Sequence, residues 1–496
     1  MKKYILSIDQ GTTSSRAILF NQSGDIVSKS QKEINMIYQQ DDYVEQDAYD
    51  IWTSVLTCMA DCLLKAKVMP DEIASIGITN QRETTILWDR RTGLPVYKAI
   101  VWQSKQSNYI CEKLKNEGYE EMIKEKTGLL VDPYFSATKI KWVLDNVEGV
   151  QDLMSDGNLM FGTVDTWLLY KLSGHKTHKT DYTNASRTLL FNIKTLSWDK
   201  EILDILGIDE SILPEVCDSN ANFGDTIEHS FFGTNVPITG ILGDQQASLF
   251  GHLCLNEGEV KNTYGTGCFM LMNTGKKLVK SDKGLLTTIA FGLDGEIYYA
   301  LEGSVFISGS AIQWLRDGLE FFPDSKDSES LATSVEDSYG VVFVPSFVGL
   351  GTPYWESECK GAMYGLTRAT NKAHITRATL ESLAYQTKDI INVMTEESGI
   401  NIKYLKVDGG ASMNGFLMQF QSDMLNTEIK RPTINETTAL GAAYISGLKS
   451  GFFQSIDDLQ SFKHSDLRYY PNMDDSKRNK LYSSWKKAIN ATIMFK

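Results

Sequence analysis

Cysteine, histidine, positive charge and long apolar runs are all in short supply in this sequence, and each shortage removes a class of protein. The 7 cysteines (Cys58, Cys62, Cys111, Cys217, Cys254, Cys268 and Cys359) are odd in number, scattered and without a Cys-x-x-Cys pair. That argues against a disulfide framework and for reduced thiols in a cytoplasm. Cys58 and Cys62 are spaced as on one helix face, but the chain has only 6 histidines and none near them, so they read as core packing rather than a zinc site. Lysine plus arginine number 49 against 63 for aspartate plus glutamate, a net charge of −14, so neither a general nucleic-acid surface nor a polybasic membrane anchor is expected. No stretch is long and apolar enough to span a bilayer. Met1-Lys2-Lys3-Tyr4-Ile5-Leu6-Ser7-Ile8 starts like a secretory signal, but Asp9 cuts the apolar run short, and a cytoplasmic protein is expected. Short-period repeats are missing too, which removes solenoids and propellers.

What remains is the composition of a folded chain, 42% hydrophobic and 23% charged, and its 496 residues are too many for one core, so two large domains are expected. Strand and helix alternate from the start. Residues 4–8 are apolar and β-prone, a Gly/Thr/Ser turn follows, and 17–20 complete a β-hairpin. Ile51, Trp52, Val55, Leu56, Met59, Cys62 and Leu63 form a helical stripe, and 73–78 return to a strand. The alternation resumes late, with a strand over 404–407, a turn at Asp408-Gly409-Gly410-Ala411 and a helix over 414–425. An α/β architecture follows, with a boundary near 245–262. Strands running into Asp and Gly at both ends of the chain, at Asp9 and Asp408, suggest that each half contributes a related loop to one cleft.

Three glycine-rich loops carry the chemistry. In Asp9-Gln10-Gly11-Thr12-Thr13-Ser14-Ser15-Arg16, glycine allows close backbone approach and the hydroxyls and amides can ring phosphate oxygens. Arg16 offers charge, and Asp9 can hold Mg²⁺ directly or through water. An ordinary turn-rich hairpin is the alternative. Asn262-Thr263-Tyr264-Gly265-Thr266-Gly267-Cys268-Phe269 reads either as a second phosphate-facing hairpin or as a tight two-glycine turn. Asp408-Gly409-Gly410-Ala411 follows a strand and precedes a helix, where a nucleotide can lie against the backbone. A lone Gly-Gly is weak evidence; the set of three in this order is specific.

That set is the signature of the actin-like and hexokinase-like ATPases, and further segments narrow it. They include Ile78-Thr79-Asn80-Gln81-Arg82-Glu83-Thr84-Thr85, Ile100-Val101-Trp102-Gln103, Asp132-Pro133-Tyr134-Phe135, Asp181-Tyr182-Thr183-Asn184-Ala185-Ser186-Arg187-Thr188, Gly243-Asp244-Gln245-Gln246-Ala247 and Gly349-Leu350-Gly351-Thr352-Pro353-Tyr354-Trp355. Through them the chain resembles the FGGY family of carbohydrate kinases over essentially its whole length, and within that family the members that act on glycerol. The resemblance implies an α/β fold of two actin-like, ribonuclease H-like ATPase domains with an interdomain cleft. Residues 1–251 would carry the polyol site and first phosphate loop, and 252–496 the second phosphate loop and adenosine site. It implies ATP- and Mg²⁺-dependent phosphorylation of glycerol to sn-glycerol 3-phosphate, domain closure over the ligands, and a homodimer or homotetramer.

By the same resemblance, Arg82, Glu83, Tyr134, Asp244 and Gln245 hold the glycerol hydroxyls, while Trp102 and Phe269 wall its carbons. Asp244 is the general base for in-line transfer of the γ-phosphoryl group. Thr12, Thr13, Ser14 and Arg16 take phosphates, Thr266 serves the second phosphate loop, Gly309, Gln313, Gly410 and Asn414 surround the adenosine, and Asp9 is the Mg²⁺ partner. Each has a plainer reading. Arg82-Glu83 could be an exposed surface pair, Trp102 and Phe269 core residues, Asp244 a helix N-cap, and Gly309 a small residue starting a helix.

The chain also departs from the family. Relatives activated by a phosphotransferase-system phosphocarrier carry a histidine in the loop before Val-Pro-Ile, and Ser230 stands at that place here, with His229 one position earlier. This speaks against that partner unless His229 takes the role. Residues 230–236 hold no arginine, so inhibition by fructose 1,6-bisphosphate is not expected. Lys105 and Gln106 replace the usual arginine-containing stretch after Trp102-Gln103-Ser104.

Overall fold

The computed structural model describes residues 2–40, 42–356, 358–462 and 466–495. The chain divides into two compact units. The first takes residues 1–253, 287–299 and 436–463, and the second takes the remainder.

In the first unit a sheet runs in the order Gly224–Asp225, Pro237–Gly243, Ile73–Asn80, Tyr4–Gln10, Ser14–Phe20, Ile26–Glu33. Tyr4–Gln10 pairs antiparallel with Ser14–Phe20 and parallel with Ile73–Asn80, so the expected hairpin forms and its strands extend to the tip. The apolar stripe of 51–63 lies on the helix Ala48–Ala66, whose N-cap Asp47 accepts from the Tyr49 amide. Cys58 and Cys62 are buried there as free thiols, Cys58 against the Ser15 carbonyl, as core packing predicts. Thr437–Ser450 packs against Ile73–Asn80, Pro237–Gly243 and the helix Asp244–Gly251. Only glycine permits this approach. A Cβ on Gly441 would lie 1.9 Å from the Ala247 carbonyl oxygen, and one on Gly77 would lie 2.1 Å from that of Ala442.

The second unit repeats the same hairpin arrangement. Val260–Tyr264 pairs antiparallel with Cys268–Gly275 and parallel with Tyr404–Asp408, and the sheet continues through Glu428–Pro432 to Asp466–Tyr469. The long helix Lys372–Ser398 is held to the helix Asp475–Met494 through buried Asp389, which accepts from the Trp485 indole at 2.7 Å. The repeat corrects one expectation. Asp9 lies opposite Thr79, whereas Asp408 lies opposite Thr263, so Asp408 corresponds to Thr79 and the counterpart of Asp9 is Thr263. The local strand-Asp-Gly pattern looks alike on a hairpin strand and on its parallel neighbour, and only the pairing tells them apart.

Candidate active site

The loop expected to hold phosphates is the tip of the hairpin formed by Tyr4–Gln10 and Ser14–Phe20, closed by the Gly11 amide donating to the Ser14 carbonyl at 2.9 Å. Thr13 is exposed, Thr12 half-buried and Ser14 buried. One Arg16 nitrogen stands 3.5 Å from Asp9 and 3.4 Å from Glu436, and Lys29 pairs with Glu436 at 3.3 Å. Burial pushes the Asp9 carboxyl up to about 6, with the Arg16 guanidinium opposing and the negative charges of Glu436 and Asp244 adding to the rise.

The adjoining strand Ile73–Asn80 delivers Gln81, Arg82 and Glu83. Gln81 hydrogen-bonds Gln10 and Gln46 at 3.1 and 2.9 Å, and Gln46 donates to the Thr12 carbonyl, so the phosphate hairpin and the following segment share one amide network. Arg82 and Glu83 are 3% and 1% exposed, which overturns the surface-pair alternative. Glu83 takes a left-handed conformation at φ +62°, uncommon for a residue with a Cβ and sustained by the packing around it. Arg82 Nε lies 3.2 Å from Asp244 Oδ1 and 3.9 Å from Glu83 Oε1, and its Nη1 donates to Gln246 at 3.1 Å.

Asp244 is not the helix cap. Gly243 holds that position and Asp244 opens the helix Asp244–Gly251, its carboxylate taking the Gln245 amide at 2.7 Å. A carboxylate in a first helical turn is favoured by the helix dipole, and this one keeps 30% of its side chain exposed. Gln245 beside it is also half-buried. Trp102 meets Tyr134 edge to face at 5.4 Å and its indole N–H donates to the Thr12 hydroxyl at 2.9 Å. It is thus half-buried between the first phosphate loop and Tyr134 rather than a core residue. The first unit therefore brings together Thr12, Arg82, Glu83, Trp102, Tyr134, Asp244 and Gln245, with Asp9 feeling the charges of both Arg16 and Asp244.

In the second unit the Gly265-Thr266-Gly267 turn binds the start of the helix Gly309–Asp317. The Gly309 amide donates to the Gly265 carbonyl at 3.0 Å and the Ser308 amide to that of Thr266 at 2.9 Å. A Cβ on Gly309 would fall 2.5 Å from the Gly265 oxygen, and Gly409, at φ +85°, would clash with the Tyr264 carbonyl. Close packing thus accounts for both glycines and joins the second and third loops. Gln313 is exposed one turn beyond Gly309, and Gly410 is exposed at the start of the short turn Gly410–Met413. Asn414, expected inside the following helix, instead caps Gly415–Leu425 by accepting from the Leu417 amide at 2.9 Å. Phe269 is half-buried on Cys268–Gly275.

Four contributors are given no role by the sequence. Arg187, fully buried, donates to Glu83 at 2.7 Å and lies over the rings of Tyr134 and Phe135. Buried Lys139 donates to the Tyr134 and Phe135 carbonyls, and burial brings its ammonium down to about 7 while Glu83 opposes. Gln246 holds Arg82, and Glu436 holds Arg16. Arg187 belongs to a family segment, but 104 residues separate it from Glu83, and no spacing rule reaches that far.

No group of three or more histidine, cysteine or acidic residues gathers as a metal cage among the described residues. Mg²⁺ needs less, because it keeps several waters and takes one or two carboxylates plus phosphate oxygens. Buried Asp9, which feels the negative charges of Glu436 and Asp244, is the carboxylate at the first hairpin that could serve in that way.

Known proteins match this chain over its whole length. The sequence profile of the FGGY family of carbohydrate kinases, N-terminal domain, matches residues 4–251, and that of the C-terminal domain matches 260–449. Glycerol kinases of Bacillus cereus and Bacillus anthracis are each 60% identical to this chain over 496 residues, all of both chains. The crystal structure of Plasmodium falciparum glycerol kinase with ADP superposes with a TM-score of 0.93 at 38% identity, covering 99% of this chain and 98% of that one. A ligand-bound xylulose kinase from Lactobacillus acidophilus shares the fold at 23% identity, with a TM-score of 0.88 over 99% and 98% of the two chains. With both halves matched and relatives this similar from end to end, the chain belongs to the FGGY family of carbohydrate kinases.

Proposed function

We propose that this chain transfers the γ-phosphoryl group of ATP to a terminal hydroxyl of glycerol, giving ADP and sn-glycerol 3-phosphate. The observation that carries the reading is the pairing of half-exposed Asp244 with buried Arg82 at 3.2 Å, beside Glu83 and the Trp102–Tyr134 aromatic pair. Glycerol is a neutral chain of three hydroxyls, so its recognition needs charged donors and acceptors for the oxygens and an apolar face for the carbons. Arg82, Glu83, Tyr134 and Gln245 serve the hydroxyls and Trp102 faces the carbons.

Asp244 removes the proton of the attacking hydroxyl, since a carboxylate within hydrogen-bond reach is what phosphoryl transfer to an alcohol requires of the protein besides alignment and charge stabilisation. Arg82 orients that carboxylate. Thr12, Thr13, Ser14 and Arg16 bind phosphate oxygens through hydroxyls, amides and one guanidinium. In the second unit Thr266, Gly309, Gln313, Gly410 and Asn414 hold the nucleotide. Asp9 would hold Mg²⁺, which when bound offsets the phosphate charge. No helix among the described residues is long and apolar enough to cross a membrane, and the chemistry needs none. Ser230 is 8% exposed as a residue and its hydroxyl donates to the Lys171 carbonyl at 3.2 Å, which supports a chain that does not use a phosphocarrier at that position.

The test is ADP release with ATP and Mg²⁺, offering glycerol, dihydroxyacetone, xylulose, gluconate or no acceptor, with Asp244→Asn as the control. Glycerol-dependent turnover that falls about 10²–10⁴-fold in the variant is expected. Preference for another acceptor, or turnover without one, would reject the assignment.

A further inference from the structure

We infer that Thr183 is a positioning residue for the phosphoryl-transfer step, its hydroxyl fixing the backbone from which Asp244 projects. The inference rests on the reading of Asp244 as the base. Asp181 is fully buried, and its carboxylate accepts from the Thr183 amide at 3.0 Å, the Thr183 hydroxyl at 2.9 Å, the Asn184 amide and side chain at 3.0 Å each, and the Ser219 hydroxyl at 2.7 Å. A hydroxyl has one proton to give. That of Thr183 goes to Asp181, so its lone pairs face the other way, and there the Gly243 amide donates to it at 2.8 Å.

Gly243 is the last residue of its strand and the N-cap of the helix that Asp244 opens, and it has no capping side chain. Thr183 supplies its amide with a partner from outside the helix. The position has little slack, because a Cβ on Gly243 would lie 2.8 Å from the Arg82 side chain. The same carboxylate has a second arm. Asn184, pinned by Asp181, accepts from Asn80 at 3.0 Å, the last residue of the strand that leads to Arg82. One buried anion thus registers the two segments whose side chains meet at the Arg82–Asp244 contact, while touching neither side chain. Misplacing a reacting group by about 1 Å can cost on the order of 10²-fold in rate.

The test compares Thr183→Val, which keeps the shape and removes the acceptor, with Thr183→Ser, which keeps the hydroxyl, and with Ser219→Ala, which removes a different donor to Asp181. Steady-state ADP release is measured against both substrates. Thr183→Val is expected to lower kcat about 10–100-fold with the KM for ATP within about twofold of the parent, while Thr183→Ser and Ser219→Ala stay within about threefold of the parent kcat. Should the valine variant fail to fold, Thr183→Cys, whose thiol is a poor amide acceptor, is read in its place. Parent-like kcat in Thr183→Val, or an equal loss in Ser219→Ala, would overturn the inference and leave the base assignment standing. Full activity in Asp244→Asn would overturn the base assignment, and this inference with it.

Discussion

Replacing Arg187 by methionine tests how the buried ion pairs support the residues proposed to bind the polyol. The Arg187 side chain is 0% exposed and that of Glu83 is 1% exposed, with 2.7 Å between Nε and Oε1. Methionine keeps the apolar contact with Tyr134 and Phe135 but withdraws the close cation, while the longer Arg82 pair at 3.9 Å remains. Breaking a buried pair from one side costs about 3–5 kcal/mol, because the remaining charge, already out of solvent, has lost its closest counter-charge. The thermal midpoint should fall on the order of 10 °C. Glu83, held at φ +62°, should then lose its orientation, so kcat/KM for glycerol drops about 10–100-fold while the KM for ATP is little changed. The double variant Arg187→Met with Glu83→Gln separates the two effects: it removes the stranded charge and should recover most of the stability but not the glycerol kinetics. Thermal unfolding and ADP-release assays on the three proteins decide the matter. An Arg187→Met protein that melts within about 1 °C of the parent would refute the reasoning.

Two further predictions concern stability. His178 donates to the Phe161 carbonyl at 2.7 Å, and burial pushes its imidazole down to about 4. Between pH 6.5 and 4 the unfolded chain binds a proton there that the folded one does not, so this contribution is full above pH 6.5 and is lost as the pH falls, up to about 3 kcal/mol. His178→Gln, which can still donate to Phe161, should flatten that part of the stability-versus-pH curve, and identical acid profiles for the two proteins would reject the assignment. Gly441→Ala should cost about 3 kcal/mol or more despite alanine's roughly 1 kcal/mol advantage within a helix, since the new Cβ would lie 1.9 Å from the Ala247 carbonyl oxygen. A thermal midpoint equal to or above the parent's would show that the two helices can part at little cost.

How much of this protein its sequence determines depends on the range over which each cause acts. The hairpin at Asp9–Arg16, the helical stripe of 51–63, the second hairpin at 262–269 and the helix after Gly409-Gly410 are all readable, because periodicity and turn chemistry are written within a few residues. The resemblance of Arg82-Glu83, Trp102 and Gly243-Asp244-Gln245 to family segments singles out the proposed polyol residues, but local sequence leaves open whether Arg82-Glu83 is buried and whether Asp244 caps its helix. Those answers depend on which segments pack against them. Arg187 reaches Glu83 across 104 residues, and Glu436 reaches Arg16 across 420. The Asp181–Thr183–Gly243 contact closes over 60. Which residues are close-packed glycines, which strand pairs in parallel with Tyr4–Gln10, and which carboxylate answers Arg82 are tertiary decisions, because hydrogen bonds and ion pairs act over a few ångströms and only the folded chain brings such distant residues within that reach.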